Sequence, residues 1–268
     1  MRTPPRRIRD KIEAGEAVYG ATIQLPSPES VEIAGYAGLD FAWIDAEHGT
    51  MDLADINHLI RAADAVGIDS VVRVPDHTPS FIQRVLDAGA TGIMVPHIRT
   101  VEQARAVFAA AHYAPHGTRG ACPSTRSVGG ITEDWIADAR RADADVLVFG
   151  LIEDEEGVRN VEAIAADAGL FGLLAGPFDL SMELGLMGAV DDDRVAGMQQ
   201  RIAAAAKAAG IEYVAIPAWE PCDLPTMLAD GVRLFNITGD RGVLYTEFVK
   251  ARLGFAEAVL SARSEVSA

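Results

Sequence analysis

Several residue types and motifs are scarce or missing from this chain, and each gap closes off a class of chemistry. Cysteine occurs only twice in 268 residues, at Cys122 and Cys222. Two thiols make no disulfide framework and suit a reducing cytoplasm. Lysine occurs three times, at Lys11, Lys207 and Lys250. None falls at the end of an expected strand, which leaves no residue for a barrel-type Schiff base. Basic residues as a whole are few, 23 against 39 acidic ones, for a formal charge of -16. An excess of that size repels phosphate backbones, so a nucleic-acid partner is not expected. No apolar run approaches the roughly 20 residues a membrane-spanning helix needs. The opening MRTPPRRIRD is basic but lacks the apolar stretch of a secretory signal. There is no G-x-G, no G-x-x-x-x-G-K-[ST] loop and no G-x-S-x-G elbow, which weakens the dinucleotide, P-loop and serine-hydrolase readings. Without H-x-H or H-E-x-x-H spacing, a zinc site built of histidines is not expected either.

What the chain does have is alternation. β-type runs are expected at Ala17–Leu25, Phe41–Asp45, Ser70–Val74, Gly92–Val95, Asp145–Ile152, Gly172–Ala175, Tyr213–Ile216 and Leu234–Ile237. Runs such as VLVF and YVAI are continuously apolar, as strands covered on both faces must be. The segments between them, such as Val101–Ala111 and Met198–Ala209, are Ala-rich and favour helix. Eight β–α units in this length predict a single-domain (β/α)8 barrel over residues 1–268. A last helix near Gly242–Ser261 carries apolar residues that must dock on its own barrel or on a neighbouring subunit. The aperiodic stretch His116–Gly130 holds Arg119 and Arg126. These either meet an anionic substrate or pair with surface acids.

In such a barrel the chemistry sits at the C-terminal ends of the strands. That rim would carry Asp45, Glu47 and His48 after strand two, Arg73 and Asp76 after strand three, Glu153 after strand five, and Gly176-Pro177-Phe178-Asp179 after strand six. Glu153 and Asp179, on adjacent strands, can share a divalent metal such as Mg²⁺ or Mn²⁺, with Co²⁺ or Zn²⁺ as alternatives. Each can equally be a helix cap or a surface acid. Asp154, Glu155 and Glu156 are read as a solvated helix start, as is Asp191–Asp193. His48 follows Asp45 by three residues, so a carboxylate can hold its tautomer. The alternative is a loop histidine bonded to backbone. His97, after strand four, is a reserve candidate. Arg73 can clamp a carboxylate through two hydrogen bonds or form an ion pair with Asp45 or Asp76.

The segments FAWIDAEHG (Phe41–Gly49), SVVRVP (Ser70–Pro75), RVLDAGATGIMVPHIRTVEQAR (Arg84–Arg105), LIEDEEGVRNV (Leu151–Val161) and GPFDLSMELG (Gly176–Gly185) resemble the HpcH/HpaI aldolase family. They run in family order over roughly residues 10–260. The resemblance implies a metal-dependent class II aldolase that cleaves a 4-hydroxy-2-oxo acid to pyruvate and an aldehyde. It implies Glu153 and Asp179 as metal ligands and Arg73 as the residue that holds the 2-oxo acid. It implies His48 as the base, acting through a bound water with Asp45 orienting it. Asp87 would be contributed by a neighbouring subunit, and Gly176 and Pro177 would meet the substrate carboxylate. Relatives form hexamers, trimers of dimers with exchanged C-terminal helices. Leu151 stands where several relatives carry Gln, and Phe178 stands where a small residue is common. Cys122–Ser127 differs from the usual loop. These departures bear on substrate choice rather than on the enolate step. Competing readings are an oxaloacetate decarboxylase or another enolate-forming lyase, and a non-catalytic 2-oxo-acid-binding protein.

Overall fold

A computed structural model of the chain describes residues 5–266; residues 1–4 and 267–268 of the expected domain, and with them the start of the basic opening, lie outside that range. In chain order the elements are α1 (Arg7–Glu13), β1 (Val18–Ile23), α2 (Pro28–Tyr36), β2 (Phe41–Asp45), α3 (Leu53–Val66) and β3 (Asp69–Arg73). There follow α4 (Pro79–Asp87), β4 (Gly92–Val95), α5 (Val101–Ala111), α6 (Trp135–Asp145), β5 (Leu147–Ile152) and α7 (Glu155–Asp167). The last third comprises β6 (Gly172–Ala175), α8 (Pro177–Glu183), α9 (Asp193–Ala209), β7 (Glu212–Ala215), α10 (Leu224–Ala229), β8 (Leu234–Gly239) and α11 (Asp240–Val266). Every strand pairs in parallel with its sequence neighbours, and β8 pairs with β1, so the sheet closes as β1 to β8 in order. The expected (β/α)8 barrel is the fold.

The period-2 alternation of the strands sorts two apolar cores. Phe41, Trp43, Val71, Phe149, Leu151, Leu174 and Val214 fill the lumen. Their neighbours Ala42, Ile44, Val72, Val148 and Ala215 pack outward under the helices. Lumen packing explains Gly20, where a Cβ would lie 2.2 Å from the Phe41 ring. Helix starts follow their caps. Asp52 and Thr100 close reciprocal capping boxes with Asp55 and Gln103 on α3 and α5, each satisfying donors the first turn leaves free. Gly67 and Gly210 end α3 and α9 in the left-handed conformation, which glycine adopts without a Cβ clash.

The N-terminal end of the barrel is plugged by α1. Ile8 is fully buried in the lumen core, and its N–H donates to Asp69 Oδ2 at 2.7 Å. The final helix behaves differently. Asp240 fastens its start by accepting the N–H groups of Gln24 and Leu25. Beyond that, α11 meets chiefly β1 and β8, and Phe248, Leu253, Phe255 and Leu260 stay more than half exposed. Docking on its own barrel, one of the two expectations for this helix, is not what the chain does.

Candidate active site

The strand register brings the tips of β2 and β3 side by side, with Asp45 paired to Arg73. Asp45 is fully buried and accepts from Arg73 Nε at 2.9 Å and Nη2 at 2.6 Å, a bidentate pair. Gln24 Nε2 donates to the same carboxylate at 2.8 Å, and so do the backbone N–H groups of Glu47 and His48. Burial pushes the Asp45 carboxyl up. The hydrogen bonds and charge of Arg73, with help from Gln24, outweigh it and hold the group below its ordinary value. Of the two readings of Arg73, the ion pair is present. It is formed with Asp45 and not with Asp76, yet Arg73 still lines the mouth of the barrel.

Asp45 does not touch the His48 imidazole. It takes the His48 backbone N–H at 3.1 Å, while the ring, largely exposed, has its Nε2 3.8 Å from Glu47 Oε2. The expected orientation of the imidazole by Asp45 is thus corrected: Asp45 is saturated by Arg73, Gln24 and backbone, and shapes the turn that carries His48 instead.

Glu153, at the tip of β5, is 3% exposed and accepts the His97 N–H at 2.8 Å; His97 Nδ1 lies 3.3 Å from the same oxygen. His97 holds this position with φ at +52°, a left-handed backbone that costs a non-glycine residue about 1 kcal/mol or more. Glu47, His97 and Glu153 bring one ligand atom each within 4.8 Å of one another. Asp179, the expected second ligand, lines the same cavity from the first turn of α8. Gly176 permits the approach, since a Cβ there would meet Glu153 Cβ at 2.5 Å. Burial pushes the Glu153 carboxyl up to about 8, and the negative charges of Glu47 and Asp179 add to it. Burial likewise raises Glu47. Arg73 Nη1 sits 3.2 Å from Glu47 Oε2 without hydrogen-bond alignment, and that buried oxygen has no donor. Hard carboxylate oxygens in excess, one of them orphaned, beside an imidazole form a donor set that fits a divalent cation.

Asp45, His48, Arg73, Glu153 and Asp179 open on a cavity of about 610 Å³ whose wall also includes Trp43, Pro177 and Phe178, a size suited to a small organic ligand. Trp43 Nε1 and Asn236 Oδ1, both buried at its floor, lack partners. The lysines lie elsewhere: Lys11 pairs with Asp40, Lys207 with Asp230 and Lys250 with Glu247.

Other expected residues stay away from the mouth. Arg119 donates to Asp87 at 2.7 Å, and Arg126 to Asp64 and the Ala88 carbonyl. The two arginines thus pair with acids, and Asp87 does not line its own chain's cavity. Asp154 is not a solvated acid. It is 6% exposed, caps α7 through Gly157 N–H and accepts Arg99 Nε at 2.6 Å. Gln24, Trp43, Trp219 and Asn236 carried no sequence signal of a site. Glu47 and His97 were legible as rim residues, but not as a cluster with Glu153.

The family model described as HpcH/HpaI aldolase/citrate lyase matches residues 20–245. A 4-hydroxy-2-oxovalerate aldolase of Novosphingobium aromaticivorans is 37% identical over 216 residues, 79% of this chain and 81% of that one. A 5-keto-4-deoxy-D-glucarate aldolase of Klebsiella pneumoniae is 35% identical over 77% of this chain and 80% of its own. Among solved structures, citrate synthase SbnG superposes with a TM-score of 0.84 at 32% identity, over 94% of this chain and 98% of that one. The chain belongs to the HpcH/HpaI aldolase/citrate lyase family of carbon–carbon lyases.

Proposed function

We propose that the protein is a class II aldolase that cleaves a 4-hydroxy-2-oxo acid to pyruvate and an aldehyde, and runs the reverse addition. The observation that carries this is the convergence of Glu47, Glu153 and Asp179 with one guanidinium, Arg73, at the mouth of the barrel. Glu153 and Asp179, with Glu47 and His97 beside Glu153, would hold a divalent cation. Mg²⁺ or Mn²⁺ suits the carboxylates, and Co²⁺ or Zn²⁺ the imidazole. When bound, such an ion supplies Lewis-acid stabilisation of an oxyanion.

The chain's own groups do the rest. Arg73, held rigid by Asp45, presents fixed positive charge where the 2-oxo oxygen becomes negative. His48, on the wall of the cavity, takes the proton of the 4-hydroxyl, directly or through a water. The C3–C4 bond then breaks, its electron pair forms the C2–C3 enolate, and the C4 fragment leaves as an aldehyde. The enolate takes a proton at C3 to give pyruvate. Gly176 and Pro177 border the carboxylate end, Phe178 the aldehyde end, and Asp45 acts by positioning Arg73 and the His48 turn. The uncovered apolar length of α11 and the outward placement of Asp87 support a homo-oligomer, a hexamer built as a trimer of dimers, in which a neighbour's Asp87 joins the mouth. Two free thiols, Cys122 and Cys222, suit a reducing cytoplasm.

The test is pyruvate release from a panel of 4-hydroxy-2-oxo acids, with oxaloacetate alongside, before and after EDTA and with Mg²⁺ or Mn²⁺ restored. Release that EDTA stops and metal restores is expected. Turnover of oxaloacetate alone would move the assignment to a decarboxylase, and no turnover with metal bound would leave a binding protein.

A further inference from the structure

The mouth cavity is chemically divided along the strand order. Asp45, His48 and Arg73 come from β2 and β3. Phe178 follows β6, Ile216 and Trp219 follow β7, and Ile237 lies on β8. In a closed sheet ordered β1 to β8, the arc from β6 to β8 faces β2 to β4 across the lumen. Its side chains open to the cavity are largely apolar, with Phe178 52%, Trp219 44% and Ile237 49% exposed; Asp179, Asn236 and Thr238 are its polar members and none carries positive charge.

Trp219 sits on a braced turn. Its backbone N–H donates to the Ile216 carbonyl at 2.8 Å, and its backbone carbonyl accepts Gln199 Nε2 at 2.8 Å. Gln199 is 2% exposed, on α9 behind the turn. Glu220 locks the other end, accepting the Ile216 N–H and the Tyr213 hydroxyl, both at 3.2 Å. A buried amide and a part-buried carboxylate thus hold the turn whose backbone carries the indole to the cavity wall, and a backbone fixed before binding loses little entropy on binding.

The same arc lacks cations. Among the described residues Arg73 is the single guanidinium on the cavity wall, and it is bonded to Asp45 on the far side from this arc. Arg241, near the rim, gives an N–H to the Gln24 carbonyl and does not line the cavity. A carboxylate on the distal end of a substrate would lie among apolar side chains, within reach of the field of Asp45, Glu47, Glu153 and Asp179. It would lose hydration there and meet no cation to offset that loss.

Building on the aldolase reading above, we infer that the aldehyde half of the substrate is an uncharged hydrocarbon group, seated between Phe178, Ile216, Trp219 and Ile237, and that Trp219 sets this preference. With the 2-oxo acid end at Arg73, the C4 substituent crosses the mouth to this arc. Removing an aromatic wall from such a pocket lowers kcat/KM for the matching substrate by about 10- to 100-fold.

The experiment compares cleavage of 4-hydroxy-2-oxo-4-phenylbutanoate, 4-hydroxy-2-oxovalerate and 4-hydroxy-2-oxoheptanedioate by the full-length protein with Mg²⁺ or Mn²⁺. The phenyl substrate is expected to exceed the dicarboxylate in kcat/KM by at least about tenfold. Trp219→Ala is expected to lose about tenfold on the phenyl substrate, mostly in KM, and less on the methyl one. Ile237→Arg, which adds a cation to the arc, is expected to raise the dicarboxylate relative to the phenyl substrate. A wild-type preference for the dicarboxylate, or a Trp219→Ala variant with an unchanged substrate ratio, overturns the inference and leaves the aldolase reading standing. Failure to cleave any of the three with metal bound overturns both.

Discussion

At the base of the barrel, Asp40 is fully buried, with Lys11 Nζ at 2.9 Å, Arg7 Nη1 at 3.6 Å and the Tyr19 N–H at 3.0 Å. At the mouth, Asp45 is buried just as deeply and has a bidentate arginine, but Glu47, Glu153 and Asp179 converge beside it with no further lysine or arginine on the cavity wall. Both ends take acids out of water. At the base, Asp40 is neutralised from within the chain, while Asp69 accepts the Ile8 N–H and burial raises it to about 6; at the mouth, the uncompensated acids converge on one another. Uncompensated buried charge is too costly to keep for stability's sake, so the surplus at the mouth marks the end built to receive positive charge from outside. The acidity of the whole chain says nothing of this, because it is the local imbalance that differs between the ends.

The widest separation between the ends should come from His48→Ala, which is expected to lower kcat for cleavage by about 10²- to 10⁴-fold while metal affinity, read by calorimetric titration, changes less than about threefold. Wild-type turnover would remove His48 from the proton transfer. Glu153→Gln strikes the surplus itself and is expected to weaken metal affinity by about 100-fold or more. Unchanged affinity would mean that the cation sits elsewhere. The pH dependence sharpens the same point. With the metal-free Glu153 carboxyl raised to about 8, a cation must displace its proton at lower pH. Affinity should therefore climb about tenfold per pH unit between roughly pH 6.5 and 7.5 and flatten above about 8. A flat profile across that window would contradict the proton displacement. The smallest effect belongs to the base. Lys11→Met leaves Asp40 with Arg7 and backbone, costs about 1–2 kcal/mol, and lowers Tm by about 2–8 °C, with metal affinity untouched. A loss of metal affinity there would break the contrast between the two ends.

All eight strands were legible, because runs such as VLVF and YVAI are covered on both faces and read as continuous apolar stretches. Strand ends were less so. Asp145 reads as a strand start but closes α6, and Asp69 opens β3 one residue before its apolar run. Such limits are set by partner strands, which the local sequence does not contain. Placing Asp45, His48, Arg73, Glu153 and Asp179 at one rim followed from the fold alone. What they do to one another did not. The bidentate Asp45–Arg73 pair depends on β2–β3 register, and the Glu47–His97–Glu153 cluster joins three strands and a left-handed residue at 97. Asp154 reads as one more acid of a helix start, and only the reach of Arg99 from the loop after β4 shows it as buried and paired. Trp219 gave no signal because the clamp that makes it a wall comes from Gln199, on the previous helix.

The most direct test of the central claim needs no aldehyde partner. Proton exchange at C3 of pyruvate, followed in D₂O by the decay of its methyl signal in proton NMR, reports enolate formation alone. The account predicts exchange with Mg²⁺ or Mn²⁺ present, arrest by EDTA, recovery on adding metal back, and no recovery in Glu153→Gln. Exchange that runs equally well without metal, or none with metal demonstrably bound, would contradict it.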